Sequence, residues 1–197
     1  MPRRTPDDTG PVGRVVVANA DTMGIVGSAA EPAPREGFID RCLVAAFDGG
    51  LTPLLIVTKT DLAAADQLAE AYALLGLETV STRRDADPVT VAERLAQHVT
   101  VLIGQSGVGK STLVNRLVPD ADRDTGVVNE VTGRGRHTST SAVGLRLPDG
   151  GWIIDTPGIR SFGLGHVNPE RLLSAFGDLA LGEINCPRGC DHEPPHC

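Results

Sequence analysis

Gly104-Gln105-Ser106-Gly107-Val108-Gly109-Lys110-Ser111, followed by Thr112, is the stretch whose reading decides the fold. It is a complete P-loop pattern, set between a largely apolar run at 99–103 and a segment at 110–117 with helical spacing. The chemistry asks for each residue type. Glycines let successive backbone N–H groups turn inward around phosphate oxygens without Cβ clashes. A helix N-terminus directly behind them adds the positive end of its dipole. Lys110 is placed to reach β- and γ-phosphates, and the Ser111 hydroxyl to take a Mg²⁺ position.

Working outward, Asp155-Thr156-Pro157-Gly158 follows a short apolar strand on the C-terminal side. An acid at such a strand end holds Mg²⁺ through water, and the Gly158 amide can contact a γ-phosphate. On the N-terminal side, Thr58-Lys59-Thr60-Asp61 follows the apolar run at 53–57. It is similar to the guanine-reading pattern Asn-Lys-x-Asp, with Thr58 in place of Asn. A carboxylate suits this position because guanine presents N1–H and N2–H₂ donors, which Asp61 can accept together, while the Lys59 stem lies along the base. The Thr58 hydroxyl can still tie this loop to the P-loop. As an isolated tetrapeptide the segment also reads as a helix start, with Thr60 or Asp61 as the cap. The next strand ends in Val80-Ser81-Thr82, a small-residue loop suited to backing the base. The base-reading residues thus precede the P-loop and Asp155, the reverse of the ordinary order. Because domain termini tend to lie close together at the surface, one sheet can be cut and rejoined this way.

The remaining pattern fits an α/β protein with a mainly parallel sheet, the three-layer P-loop NTPase fold in permuted order. Helices are predicted at 38–47, stopped by Gly49-Gly50, at 62–75, stopped by Gly76, and from Asp87-Pro88 onward, with an acidic cap and proline at the first helical position. Strands are predicted at 15–17, 23–26 and 77–80, and a hairpin at 143–154 turns through Pro148-Asp149-Gly150-Gly151. Residues 1–11, with Pro2, Pro6 and Pro11, read as a disordered leading segment, and 29–37 as a loop. The domain divisions expected are 12–165 for the nucleotide domain and 166–197 for a small module. Hydrophobic residues at 41% and charged residues at 22% describe a globular chain, and a net charge of −7 argues against a whole-surface nucleic-acid binder. No apolar run approaches the roughly 20 residues that cross a bilayer, so a cytoplasmic protein without membrane contact is expected.

Between the P-loop and Asp155 lies Gly133-Arg134-Gly135-Arg136-His137-Thr138-Ser139-Thr140, where a nucleotide-sensing switch belongs. Thr138 is the first choice to complete a Mg²⁺ shell and Thr140 the second. The arginines and His137 can contact RNA, stabilise transition-state charge, or form a solvated loop. Ile159 stands where Ras-like proteins carry a water-orienting Gln. Slow intrinsic hydrolysis is therefore expected, with a partner or His137 placing the water. Three of the four cysteines fall between Cys186 and Cys197. With His192, Cys186, Cys190 and Cys197 make a Cys₃His donor set for zinc, His196 being a substitute ligand. Cys42, alone in a helical apolar pattern, reads as core.

These residues, with Ile39-Asp40-Arg41-Cys42-Leu43-Val44 and Gly135-Arg136-His137-Thr138, resemble the ribosome small-subunit-dependent GTPase A family, circularly permuted GTPases. The resemblance runs from about Ala18 to Cys197. It implies GTP hydrolysis in late maturation of the small ribosomal subunit, with GTP/GDP, Mg²⁺ and Zn²⁺ as cofactors. It also implies the small subunit and its rRNA as partners of a monomer. The resemblance also implies the family's layout, an N-terminal OB-fold RNA-binding domain, a central permuted GTPase domain and a C-terminal zinc module with further helices. There is no room for an OB domain ahead of residue 12, and the chain stops at the last expected zinc ligand, so a fragment or an incomplete gene model is expected. Because the second switch runs directly into the zinc module, a nucleotide-driven shift is expected to move that module as a lever. The competing reading is a non-hydrolysing RNA- or ribosome-binding module that keeps a nucleotide site.

Overall fold

The computed structural model describes residues 19–121 and 142–157, the single positions 164, 167 and 186, and the backbone of 3–4 and 14–15. Two short strands, β1 (Arg3–Arg4) and β2 (Arg14–Val15), pair antiparallel. β1 falls inside the segment read as leading into the domain, and most of 1–18 lies outside the described residues.

The main sheet begins with β3 (Thr22–Ser28), followed by α1 (Glu36–Asp48), β4 (Thr52–Thr58), α2 (Asp66–Ala73), β5 (Glu78–Ser81), α3 (Val89–Leu95) and β6 (Val99–Gly104). After the P-loop come α4 (Lys110–Leu117), a 3₁₀ turn at Pro119–Ala121, and the hairpin of β7 (Val143–Arg146) and β8 (Trp152–Asp155). The six strands lie in the order β5-β4-β3-β6-β8-β7. All neighbours are parallel except β7, which pairs antiparallel with β8 at the edge.

Side chains on successive strand residues point to opposite faces, and here both faces are covered. Met23, Ile25, Leu55, Val57, Val101 and Ile103 join one buried layer with Ile39, Cys42 and Leu43 of α1 and Leu68 and Tyr72 of α2. Val26, Leu54, Ile56, Leu102 and Ile153 join the other, with Val91 and Leu95 of α3 and Leu113, Val114 and Leu117 of α4. This double burial is why β4 reads as an unbroken apolar run. Cys42 is wholly buried, and burial pushes its thiol well above the usual range, as a core residue requires.

Two helices differ from the sequence expectation. α2 starts at Asp66 rather than 62, and Leu62, Leu74 and Leu75 are exposed. Its N-cap is Ala65, not Thr60 or Asp61, because both of those residues are engaged by the loop after β5. α3 has Pro88 at its N-cap rather than in the first turn, and no side chain caps it. Asp87 instead meets Arg116. The stops hold: Gly50 and Gly76 adopt φ of +65° and +63° at the ends of α1 and α2.

Candidate functional site

Parallel pairing brings the chemistry to one edge. Ser28 faces Thr58, Val26 faces Gly104, Val57 faces Ser81 and Leu102 faces Asp155 across their ladders. The carboxyl ends of β3, β4, β5, β6 and β8 therefore share a rim, where open α/β sheets bind ligands.

The P-loop begins at Gly104, where only glycine fits. A Cβ there would lie 2.9 Å from the Val26 carbonyl oxygen and 3.1 Å from Val108 Cγ2. Gly107 and Gly109 take φ of +82° and +90°, and Gly109 forms the left-handed N-cap of α4. Gln105, Ser106, Ser111 and Thr112 are half-buried, whereas Val108 packs into the core. Lys110 is buried, and its ammonium donates to Asp155 Oδ1 and to the Thr156 carbonyl. Thr156 is fixed in turn, its hydroxyl donating to the Leu102 carbonyl at 2.7 Å. Lys110, the Ser111-bearing turn and Asp155 thus form one polar cluster, joining the two motifs that the sequence separates.

The Thr58–Asp61 loop closes on the P-loop. The buried Thr58 hydroxyl donates to the Val108 carbonyl and lies 3.1 Å from the Gly27 carbonyl. Lys59, held at φ +58°, donates to the Gly107 carbonyl at 2.8 Å and to the Glu31 carbonyl. Burial lowers the Lys59 ammonium pKa from its ordinary value, against the opposing pull of Glu31 and Asp61. Thr60 donates to the Thr82 carbonyl through both N–H (3.4 Å) and hydroxyl (3.2 Å). The exposed Asp61 accepts from the Arg84 N–H at 3.1 Å. Ser81 ends β5 beside this loop.

The Thr58–Asp61 loop, then the P-loop, then the buried Asp155, in that chain order on one rim, agree with what the comparisons find. The family model described as RsgA GTPase matches residues 3–165. The chain belongs to the RsgA GTPase family. Two curated RsgA relatives carry the name small ribosomal subunit biogenesis GTPase RsgA. That of Azotobacter vinelandii is 43% identical, with 100% of this chain and 61% of that protein covered. That of Pseudomonas savastanoi pv. phaseolicola is 44% identical over 98% of this chain and 59% of that protein. The chain thus spans about three fifths of the length of these relatives. Among solved structures, YloQ, a circularly permuted GTPase, is 28% identical with a TM-score of 0.65, covering 91% of this chain and 59% of that one. YjeQ from Thermotoga maritima is also 28% identical, with a TM-score of 0.58 over 82% of this chain and 56% of its own. The RsgA fold here is the circularly permuted P-loop GTPase fold.

His137, Thr138, Thr140, Gly158 and Ile159 lie outside the described residues, as do Cys190, His192, His196 and Cys197. Cys186 is half-buried. Among the described residues no group of three or more His, Cys, Asp or Glu could hold a metal. Sequence reasoning missed Arg116, the Arg83-Arg84 backbone and the Glu31 carbonyl. Each acts through contacts between residues far apart in the chain, so no local pattern announces them.

Proposed function

We propose that this chain is the GTP-hydrolysing part of a factor that serves late maturation of the small ribosomal subunit, its nucleotide state coupled to subunit binding and release. One observation carries the reading: Thr58 and Lys59 clasp the carbonyls of Val108 and Gly107, so a carboxylate suited to guanine sits beside a phosphate loop. Family membership and the names of the relatives support the ribosomal role.

Asp61 accepts the guanine donors with Lys59 along the ring, while Gly104–Thr112 amides and Lys110 hold the phosphates. For Lys110, that means exchanging some of its donation to Asp155 and Thr156 for phosphate oxygens. The buried Asp155 carboxylate and the Ser111 hydroxyl are hard oxygen donors, a set that fits Mg²⁺. With Thr138 they would hold the ion, which supplies charge neutralisation between phosphates. The Gly158 amide serves the γ-phosphate, and His137 the attacking water. Residues 12–165 form the GTPase domain. At 166–197, Cys186, Cys190, His192 and Cys197 supply three thiolates and an imidazole, a set suited to structural zinc. That module acts as the lever on the subunit and its rRNA, in a monomeric cytoplasmic protein.

The experiment is phosphate release from GTP and from ATP, with and without purified small subunits. Slow GTP turnover, accelerated by subunits and absent for ATP, is the expected result. GTP binding without release in either condition would return the non-hydrolysing module. Equal use of ATP would remove Asp61 from base selection.

A further inference from the structure

Arg116 stands in the last turn of α4, the helix that opens at the P-loop. Its guanidinium folds back onto the loop after β5. Nη1 donates to the Arg83 carbonyl at 2.8 Å and the Arg84 carbonyl at 3.2 Å, and Nη2 meets Asp87 Oδ1 at 3.3 Å. The Arg116 side chain is 24% exposed and its Asp87 partner 90%, so screening leaves that ion pair little weight beside the carbonyl bonds.

The Arg83 carbonyl and the Arg84 N–H belong to one peptide group. Arg116 holds its oxygen, and its N–H donates to Asp61 Oδ1 at 3.1 Å. A peptide that accepts a charge-assisted hydrogen bond at its oxygen is polarised and becomes a stronger donor at its nitrogen. Asp61 must present two carboxylate oxygens in register with two guanine donors, and free rotation of the carboxylate would spoil that register.

We infer that Arg116 is a positioning residue for base selection: through the 83–84 peptide it fixes the Asp61 carboxylate relative to the P-loop helix. It touches neither base nor phosphate. The inference rests on the guanine reading of Asp61 proposed above.

The test titrates the wild-type chain, Arg116→Met, Arg116→Lys and Asp87→Ala with GDP and with inosine diphosphate, which lacks the 2-amino group. Methionine keeps an apolar stem of similar length and removes the donors. In Arg116→Met the preference for GDP over inosine diphosphate is expected to fall about 3- to 10-fold, the scale of one lost hydrogen bond. Arg116→Lys should recover part of it, and Asp87→Ala should keep it whole. A purely structural role would weaken both nucleotides equally and leave the preference unchanged, which would overturn the inference. If Arg116→Met does not fold, Arg116→Ala, which also removes the donors, takes its place, and a wild-type preference there overturns the inference equally. A wild type that does not distinguish the two nucleotides sinks the guanine reading itself, and this inference with it.

Discussion

Thr58 has one hydroxyl proton and two carbonyl neighbours, Val108 in the P-loop and Gly27 at the end of β3, and it is buried. Thr58→Val keeps the shape and deletes the donor, leaving the Val108 carbonyl without this partner in a dry site. A loss of about 1–3 kcal/mol in stability is expected, read by urea unfolding, with weaker GDP binding by titration calorimetry. Unchanged GDP affinity would mean that the loop is held without the hydroxyl. Thr100 makes the opposite case. It is wholly buried in β6, and its hydroxyl has no hydrogen-bond partner among the described residues. Thr100→Val removes a desolvated polar atom at nearly constant volume, so a gain of up to about 1 kcal/mol is expected. A lower unfolding midpoint in that variant would show that the hydroxyl has a partner after all.

At the scale of elements, apolar runs and glycine stops were readable because burial on both faces and left-handed backbone each leave a local mark. β4, β6, α4 and the β7–β8 hairpin fall where their spacing predicts. α2 does not, because the chain from Lys59 to Asp61 is drawn into tertiary bonds with Thr82 and Arg84 that outbid a local helix start. The Asp21 clamp at the opposite rim was equally unreadable. Asp21 Oδ2 accepts from the Val99 N–H at 3.1 Å, and its backbone N–H and C=O bond Val99 and Thr52, joining the starts of β3, β6 and β4. Burial raises the Asp21 carboxyl pKa, but the Val99 N–H, the Thr22 hydroxyl and His98 outweigh it and the net shift is downward. A folded-state pKa below the unfolded value means stability that is complete above about pH 4 and lost as pH falls through the folded pKa. Asp21→Asn should therefore flatten the acid limb of a thermal-stability profile between about pH 5 and 3. An acid limb as steep as the wild type's would remove Asp21 from acid unfolding.

Across the whole molecule, permutation divides the site between two halves of the chain. The residues proposed to read the base lie at the ends of β4 and β5, before β6, and those proposed to hold the phosphates begin at the end of β6. The halves meet at the β3–β6 ladder and through Thr58–Val108, Lys59–Gly107 and Arg116–Arg83. A ligand that grips only one half leaves that junction as it was, whereas one that spans both ties the halves together. Mass action then makes the difference measurable, since 100-fold excess over Kd adds about 2.7 kcal/mol to folding stability. GDP is expected to raise the unfolding temperature by several degrees, and pyrophosphate or guanosine alone, at the same concentration, by much less. ADP shares the phosphates but presents an acceptor edge to Asp61, so it should resemble pyrophosphate. If pyrophosphate alone reproduced the GDP shift, the P-loop would hold the ligand without help from β4 and β5. The clasp between the two loops would then be architecture rather than part of recognition.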